Sequence, residues 1–492
     1  MDASRRGLLV FSSMLASLLY TIDTTIANIA LPHMQGGLQA TQDQIAWVLT
    51  SYIVVSAVAI PLTGFLAARF GLRRVLILSV AGFTATSLLC GMAATLDQMV
   101  LYRALQGACG AALVPLAHVA LINAHPPEQY GRVTALWGMG VVIGPIIGPV
   151  LGGYLTEAFS WRWVFLVNLP FGVLALAGLA ASLPGGDADA SRRFDKLGFV
   201  LLALALTLLQ LVVERGHGED WFQSPWILAG TALGLTILFM FVVHSATTDN
   251  PFFAPAMFRD RNFVFSAGMM FFTGIAVLAP MVLMPPFLQG LQGYPVIAAG
   301  WLLASRGMSS MLAMGVSGKL VNHVDARVLI TLGLLMMGAS LWAMGGFNQD
   351  TPWQSVVATS LVMGLGLPLM FMPISVVAFA TLPDVLRAEA SSLLTLIRSL
   401  GSAMGIAAAV AVLSHDTQAN QAMLVERIGS FEHSHWERLS VAAGEASIPL
   451  AMEQVSRQAS AIAYSNDFHL LATAMFLAIP LVFGLKVGRS RH

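Results

Sequence analysis

Charge is what this chain has least of. Only 10% of its 492 residues are Asp, Glu, Lys or Arg, against about 25% in soluble domains, so it lacks the polar surface to sit in water. The 25 basic and 25 acidic residues cancel, which leaves no basic stretch for nucleic acid or for a polybasic membrane sensor. Two cysteines, Cys90 and Cys109, lie in apolar runs and provide neither a disulfide framework nor a metal site; both read as small buried hydrophobes. No G-x-x-x-x-G-K-[ST] loop occurs, which argues against ATP as the energy source. His, Asp and Glu are scattered among the polar segments, so the clustered carboxylates and imidazoles of a membrane-embedded enzyme are missing, and no cofactor is expected.

What the chain has instead is 57% hydrophobic residues and a mean hydropathy of +0.76. Apolar runs of about 20 residues recur, the length of helix that crosses roughly 30 Å of hydrocarbon. They must be helical, because lipid offers no partner to a bare backbone N–H or C=O. We count fourteen, the first over 8–30 and the last over 467–486. Arg5-Arg6 before the first run resembles a signal peptide, but the run continues past Asp23 without a cleavage site and reads as a retained helix. With the N-terminus placed in the cytoplasm, seventeen of the 25 Lys and Arg residues fall on the cytoplasmic side. Five fall outside, and Arg103, Arg306 and Arg398 lie within spans; this asymmetry supports fourteen spans with both termini inside.

A repeat divides the chain. Gly64, Leu66 and Arg73 after the second span match Gly318, Leu320 and Arg327 after the tenth, at the same offsets and on the same face. The expected organisation is a six-helix bundle over 1–182, two inserted helices with their linkers over 183–262, and a second six-helix bundle over 263–492. Internal duplication of this kind lets two bundles rock about a site near the midplane. One outer segment, 415–466, is far longer than the other loops. Its Glu residues, spaced among Leu, Val, Ile and Met, suit amphipathic helices; it is either a solvated loop, or a lid or a dock for a partner.

Charges inside a span cost roughly 2.5–3.5 kcal/mol each on insertion scales and by default line a polar cavity. Asp23 lies about 22 Å above the inner face and Arg103 comes to the same depth from the other direction. The two can therefore meet as a proton switch: burial favours the neutral acid and a nearby guanidinium favours the carboxylate. A static ion pair is the plain alternative. Asn28, Arg306, Met281 and Met284 are candidates for lining a substrate cavity, thioethers being suited to varied apolar ligands. Arg398, about 9 Å from the inner face, is placed to snorkel, and His118 reads as a packing histidine.

Four motifs converge. They are Asp23-Thr-Thr-Ile-Ala-Asn28-Ile-Ala-Leu-Pro32; Gly64-Phe-Leu-Ala-Ala-Arg69-Phe-Gly71-Leu-Arg73-Arg74; Leu101-Tyr-Arg103-Ala-Leu-Gln106-Gly107-Ala-Cys-Gly110; and Gly140-Val-Val-Ile-Gly144-Pro145-Ile-Ile-Gly148-Pro149-Val-Leu-Gly152-Gly153. With Trp161–Pro170 they resemble the major facilitator superfamily, in its fourteen-span drug:proton antiporter branch and nearest to the EmrB-like exporters. The resemblance implies an all-α membrane fold of two six-helix bundles plus two inserted helices. It also implies a bacterial inner-membrane antiporter that expels hydrophobic or amphipathic compounds on the proton gradient. Gly144, Pro145, Gly148, Pro149 and Gly152 would form its antiport motif, and Gly64, Arg69, Gly71 and Arg73 its cytoplasmic loop motif. A periplasmic adaptor (EmrA-like) and an outer-membrane channel are inherited expectations, with 415–466 as the contact. A dedicated exporter of a metabolite, siderophore or fatty acid is the alternative. One departure stands out: Ala68 occupies the place where the family usually has Asp.

Overall fold

The computed structural model describes residues 2–185, 194–219, 221–321, 323–429 and 447–486. These form an all-helical protein, with no strand among the described residues. The long helices, numbered here in chain order, are α1 (Ala3–Gly37), α2 (Trp47–Phe70), α3 (Leu72–Met92), α4 (Leu96–Ala124) and α5 (Tyr130–Ala158). They continue as α6 (Trp163–Ser182), α7 (Lys196–Arg215), α8 (Pro225–Thr247), α9 (Arg261–Leu291) and α10 (Val296–Leu320). The last four are α11 (Ala326–Met344), α12 (Trp353–Ala380), α13 (Arg387–Gly429) and α14 (Ser447–Val482).

Twelve of these are long and apolar enough to cross a membrane, and α5 becomes the thirteenth when its two segments, bent by 46° between Pro145 and Val150, are taken as one span. The remaining helix, α10, is long enough at 25 residues, but Arg306, Lys319 and its Gly and Ser residues dilute its hydropathy. Aspartates begin three helices at one face: Asp195, Asp260 and Asp325 accept hydrogen bonds from the backbone N–H of Gly198, Phe263 and Arg327, each at 2.8 Å. A cap at that place satisfies an N–H that lipid would leave bare.

Packing falls into two groups. Helix α1 lies against α5 and α6, and α4 against α2 and α3; in the second group α9 packs on α13, α12 on α10 and α11, and α14 on α11 and α13. Helices α7 and α8 pair with each other and α7 touches α2, with most of α8 facing outward, including Trp226 and Phe239. Between the groups α2 meets α13 and α5 meets α10.

The long outer segment has a definite form. Helix α13 runs on to Gly429 and α14 begins at Ser447, so 415–429 and 447–466 extend the last two spans as an antiparallel pair rather than forming a loop. Val455, Ala459 and Ala463, four residues apart, form its buried stripe, while Glu426 and Glu453 are exposed. Residues 430–446, with Glu432, Glu437, Arg438 and Glu445, lie outside the described residues, as do Arg192, Arg193, Arg489 and Arg491.

Candidate functional site

Asp23 and Arg103 meet, as their matched depths predict. Arg103 Nη1 donates to Asp23 Oδ2 at 2.6 Å, and both side chains are fully buried. Two amides complete the shell of the carboxylate: Gln106 Nε2 and Asn168 Nδ2 each donate to Oδ1 at 3.0 Å. The guanidinium is held in turn by Gln106 Oε1 at 2.8 Å and by the Val48 carbonyl at 3.2 Å, and it stacks 4.2 Å from the Tyr52 ring. Backbone geometry makes this possible. A Cβ on Gly107 would collide with the Tyr52 carbonyl, so only glycine lets α4 rest on α2 closely enough for Arg103, one turn away, to reach Val48. Behind Asn168, Ser87 accepts from the amide at 3.0 Å and donates to the Phe165 carbonyl at 2.9 Å. Three donors thus converge on one carboxylate. An apolar crevice lined by Leu15, Leu19, Ile22 and Phe171 reaches as far as Asn168.

The glycines of α5 lie along α1. A Cβ on Gly144 would strike Thr21, on Gly148 Thr25, and on Gly152 Ile26 at 2.8 Å, whereas Gly153 faces open space. The stripe thus lets α5 touch the backbone of α1 within one turn of Asp23, as small residues do between membrane helices. Pro145 and Pro149 stand within the bend of α5; neither residue's N–H is there to hold the ladder straight.

The repeat carries through to three dimensions. Gly64 on α2 packs on the backbone of Glu389 at the start of α13, 2.7 Å from an added Cβ, and Gly318 on α10 packs on Gly131 and Ala135 at the start of α5. Each repeated glycine thus closes against the opposite group of helices. Arg73 donates to the Ala180 carbonyl at 2.8 Å, and Arg327 donates to the Leu485 carbonyl, so each repeated arginine caps the sixth helix of its own group. Arg5 on Ala181 and Arg261 on Gly484 add a second matching pair. Gly71, at φ 89°, makes the turn between α2 and α3, a conformation costly for any residue with a Cβ. Arg69 lies over Phe70.

Closure at this arginine-rich face continues through Thr63 and Ser392, whose hydroxyls are 2.8 Å apart. Ser391 donates to the Pro115 carbonyl at 3.0 Å, and Arg387 reaches Asn123 at 3.3 Å and the face of Tyr130 at 5.6 Å. Ala68 removes the family's usual carboxylate, yet the two halves still meet here through backbone, hydroxyl and arginine contacts.

Above this closure lies a narrow cavity between the halves, bounded by His118 and Trp137 on one side and Met270, Phe371, Phe379 and Arg398 on the other. His118 stacks on Trp137 at 4.2 Å and bonds Thr134 at 3.2 Å, a satisfied packing histidine that also forms wall. Arg398 does not snorkel: it borders the cavity, because its face of α13 is turned toward Trp137 and Phe371 rather than toward lipid. The four expected cavity residues are elsewhere. Met284 is buried in the core of the second half, Met281 is half-buried and Asn28 is exposed beyond Asp23 on α1. Arg306 donates to the Val277 carbonyl at 3.0 Å, in the stretch of α9 where Pro280 interrupts the hydrogen-bond ladder. Gln106, Asn168 and Ser87 were not singled out from the sequence as ligands of Asp23. An amide inside an apolar run was the available signal.

Two helical groups that meet at a closed face, a cavity between them and an ion pair buried among apolar helices fit a multi-pass membrane transport protein, a class that the comparisons with known proteins bear out. The chain belongs to the Major Facilitator Superfamily, whose family model matches residues 13–406. It is 31% identical over 484 residues to the probable multidrug resistance protein EmrY of Escherichia coli (strain K12), covering 96% of this chain and 94% of that one. It is 28% identical to the multidrug export protein EmrB of the same organism, covering 99% and 96%. The fatty acid resistance protein FarB of Neisseria gonorrhoeae is 29% identical, covering 96% and 94%. Among solved structures, the human organic anion transporter MFSD10 shares the fold with a TM-score of 0.62 at 14% identity, covering 98% of this chain and 100% of that one.

Proposed function

We propose that this protein exports hydrophobic or amphipathic toxic compounds from a bacterial cell across the inner membrane, in exchange for protons, by alternating access. The observation that carries the reading is the Asp23 carboxylate of α1, buried with Arg103 and Gln106 of α4 and Asn168 of α6. Protonation of Asp23 removes the charge that holds Arg103 and weakens the tie between α1 and α4. The same helix α1 rests on the α5 glycines through Thr21 and Thr25, so a shift of α1 is passed to α5 and on to where α5 meets α10. The positive-inside bias puts the arginine-rich face and both termini in the cytoplasm, so the arrangement described is closed to the cytoplasm. Inward proton flow supplies about 2.3 kcal/mol per 100 mV per charge, besides the pH gradient.

The aromatic and thioether walls of the inter-half cavity suit apolar, variable cargo. The paired outer extensions of α13 and α14 are the surface for a periplasmic adaptor of the EmrA kind, leading to an outer-membrane channel. A narrower cargo has one observation in its favour. Arg398 is a cation at an otherwise largely apolar cavity, which suits an amphipathic anion such as a fatty acid, and FarB carries that substrate class in its name.

The test is reconstitution in liposomes with an internal pH dye. Adding amphipathic compounds should evoke proton flux in the wild type and none in Asp23→Asn. Undiminished coupled flux in that variant refutes the assignment of Asp23.

A further inference from the structure

A second buried carboxylate lies in the other half. Asp467 on α14 is fully buried, and neither of its oxygens has a hydrogen-bond partner. Its surroundings are aromatic. Phe287 of α9 stands 5.4 Å from the ring of Tyr464 and 6.4 Å from that of Phe468, and Phe347, beyond α11, lies 6.1 Å from Phe287. The titratable groups nearby are Tyr464 and His469 on the same helix and, from α13, Asp416 and His415. His469 is turned onto Trp342 of α11, 4.6 Å away. Asp416 accepts from Asn466 at 2.8 Å and lies 3.4 Å from His415, with its side chain 26% exposed. Among the described residues no Lys or Arg pairs with Asp467.

An ionised carboxylate in such a place, without a donor or a cation, costs several kcal/mol. Binding a proton removes the charge and most of that cost. Asp23 presents the opposite case, with three donors on its carboxylate. One conformation thus holds two buried carboxylates in opposite surroundings, one fully partnered and one without a partner. Asp467 sits about 22 Å along α14 from its end at Val482, toward the face opposite the arginines, and the partly exposed Asp416 bonds its neighbour Asn466.

We propose that Asp467 is a second proton-binding site, loaded from the periplasmic side through Asp416 while the cytoplasmic face is shut. The proton comes from water, neutralises the carboxylate and travels with the second bundle, so that one transport cycle moves two protons, one on Asp23 and one on Asp467. This rests on the proton-coupled reading above.

Infrared difference spectra of the purified full-length protein, without substrate, test the site apart from transport. The wild type should show a protonated-carboxyl C=O band that is reversibly lost on going from acid to alkaline pH, and Asp467→Asn should lack it. A band that persists at every pH marks a fixed structural acid, and identical spectra from the two proteins mark an Asp467 that never takes the proton; either overturns the proposal. Should Asp467→Asn not fold, Asp416→Asn in the same measurement must move the midpoint of that band, and an unmoved midpoint overturns the relay. In proteoliposomes the proton count per substrate should fall from two to one in Asp467→Asn while substrate binding, read by tryptophan fluorescence, persists. An unchanged count refutes the carrying role. A protein that shows the titrating band but no substrate-evoked flux at all would instead count against export by proton exchange.

Discussion

Consider Asp23→Asn, Arg103→Met and the double variant as a thermodynamic cycle. In Asp23→Asn the guanidinium stays buried with the Val48 carbonyl, Gln106 Oε1 and the face of Tyr52, but without its counter-charge. Removing one partner of a buried pair costs about 3–5 kcal/mol, and the upper half of that range applies because Arg103 has no route to water. In Arg103→Met the carboxylate keeps its two amide donors and can take up a proton, so the loss should sit near the lower end. The double variant removes both charges and leaves a neutral Asn beside a thioether, for which replacement of a buried pair is often nearly neutral. The singles then sum to about 7–8 kcal/mol, and a nearly neutral double variant falls short of that sum by about 5 kcal/mol or more, well beyond the roughly 0.5 kcal/mol scatter of independent sites. Unfolding of the purified proteins by denaturant, followed by tryptophan fluorescence, measures all three. Additive losses would mean that the pair contributes no coupling, and the switch built on it would have no energetic basis.

Further outcomes follow from other contacts. Gly148→Ala should cost about 1–3 kcal/mol by overpacking against Thr25 and slow transport, while Gly153→Ala, facing open space, should leave unfolding and transport unchanged; equal effects would remove the case for a tight α1–α5 seam. Cysteines at Thr63 and Ser392, in a background lacking Cys90 and Cys109, should cross-link readily given hydroxyls 2.8 Å apart and halt transport until reduced. Transport that survives the cross-link would show that this face need not open. Arg398→Met should weaken binding of a fatty-acid anion about tenfold or more, the scale of one charge-assisted hydrogen bond, and leave a neutral amphiphile unchanged; titration by fluorescence quenching separates the two. Gly71→Ala, at φ 89°, should cost about 1–2 kcal/mol, visible as earlier unfolding.

Much of this was legible in the chain. Asp23 and Arg103 could be paired because helical rise converts sequence position into depth, and both are charges in lipid-length runs. Gly64 and Gly318 were legible as equivalents because a repeat preserves offsets, and their matched packing across the halves follows from it. Other features lay beyond that reasoning. Gln106 and Asn168 are neutral amides that apolar helices tolerate for many reasons, and only proximity in space makes them ligands. Arg398 was placed by depth alone, and depth does not say which way a helix face turns. Asp467 stood at the edge of a hydropathy window, so it read as a boundary residue although helix α14 continues well past it. Met284 was counted toward a cavity because thioethers suit both cores and cavities, and composition cannot separate the two.

Helix α13 begins at the closure, where Glu389 meets Gly64 and Ser392 meets Thr63, and continues without interruption to Gly429. Its 43 residues span about 64 Å. It is therefore one continuous rod that joins the closed face to the helical extension over 415–429. A tilt of about 10° at the gate would sweep the outer tip through about 11 Å, by the same length. Under the proposed alternating access, opening of the closed face would reach the far tip of α13 as a displacement several times larger than the 2.8 Å hydroxyl contact that holds the face shut.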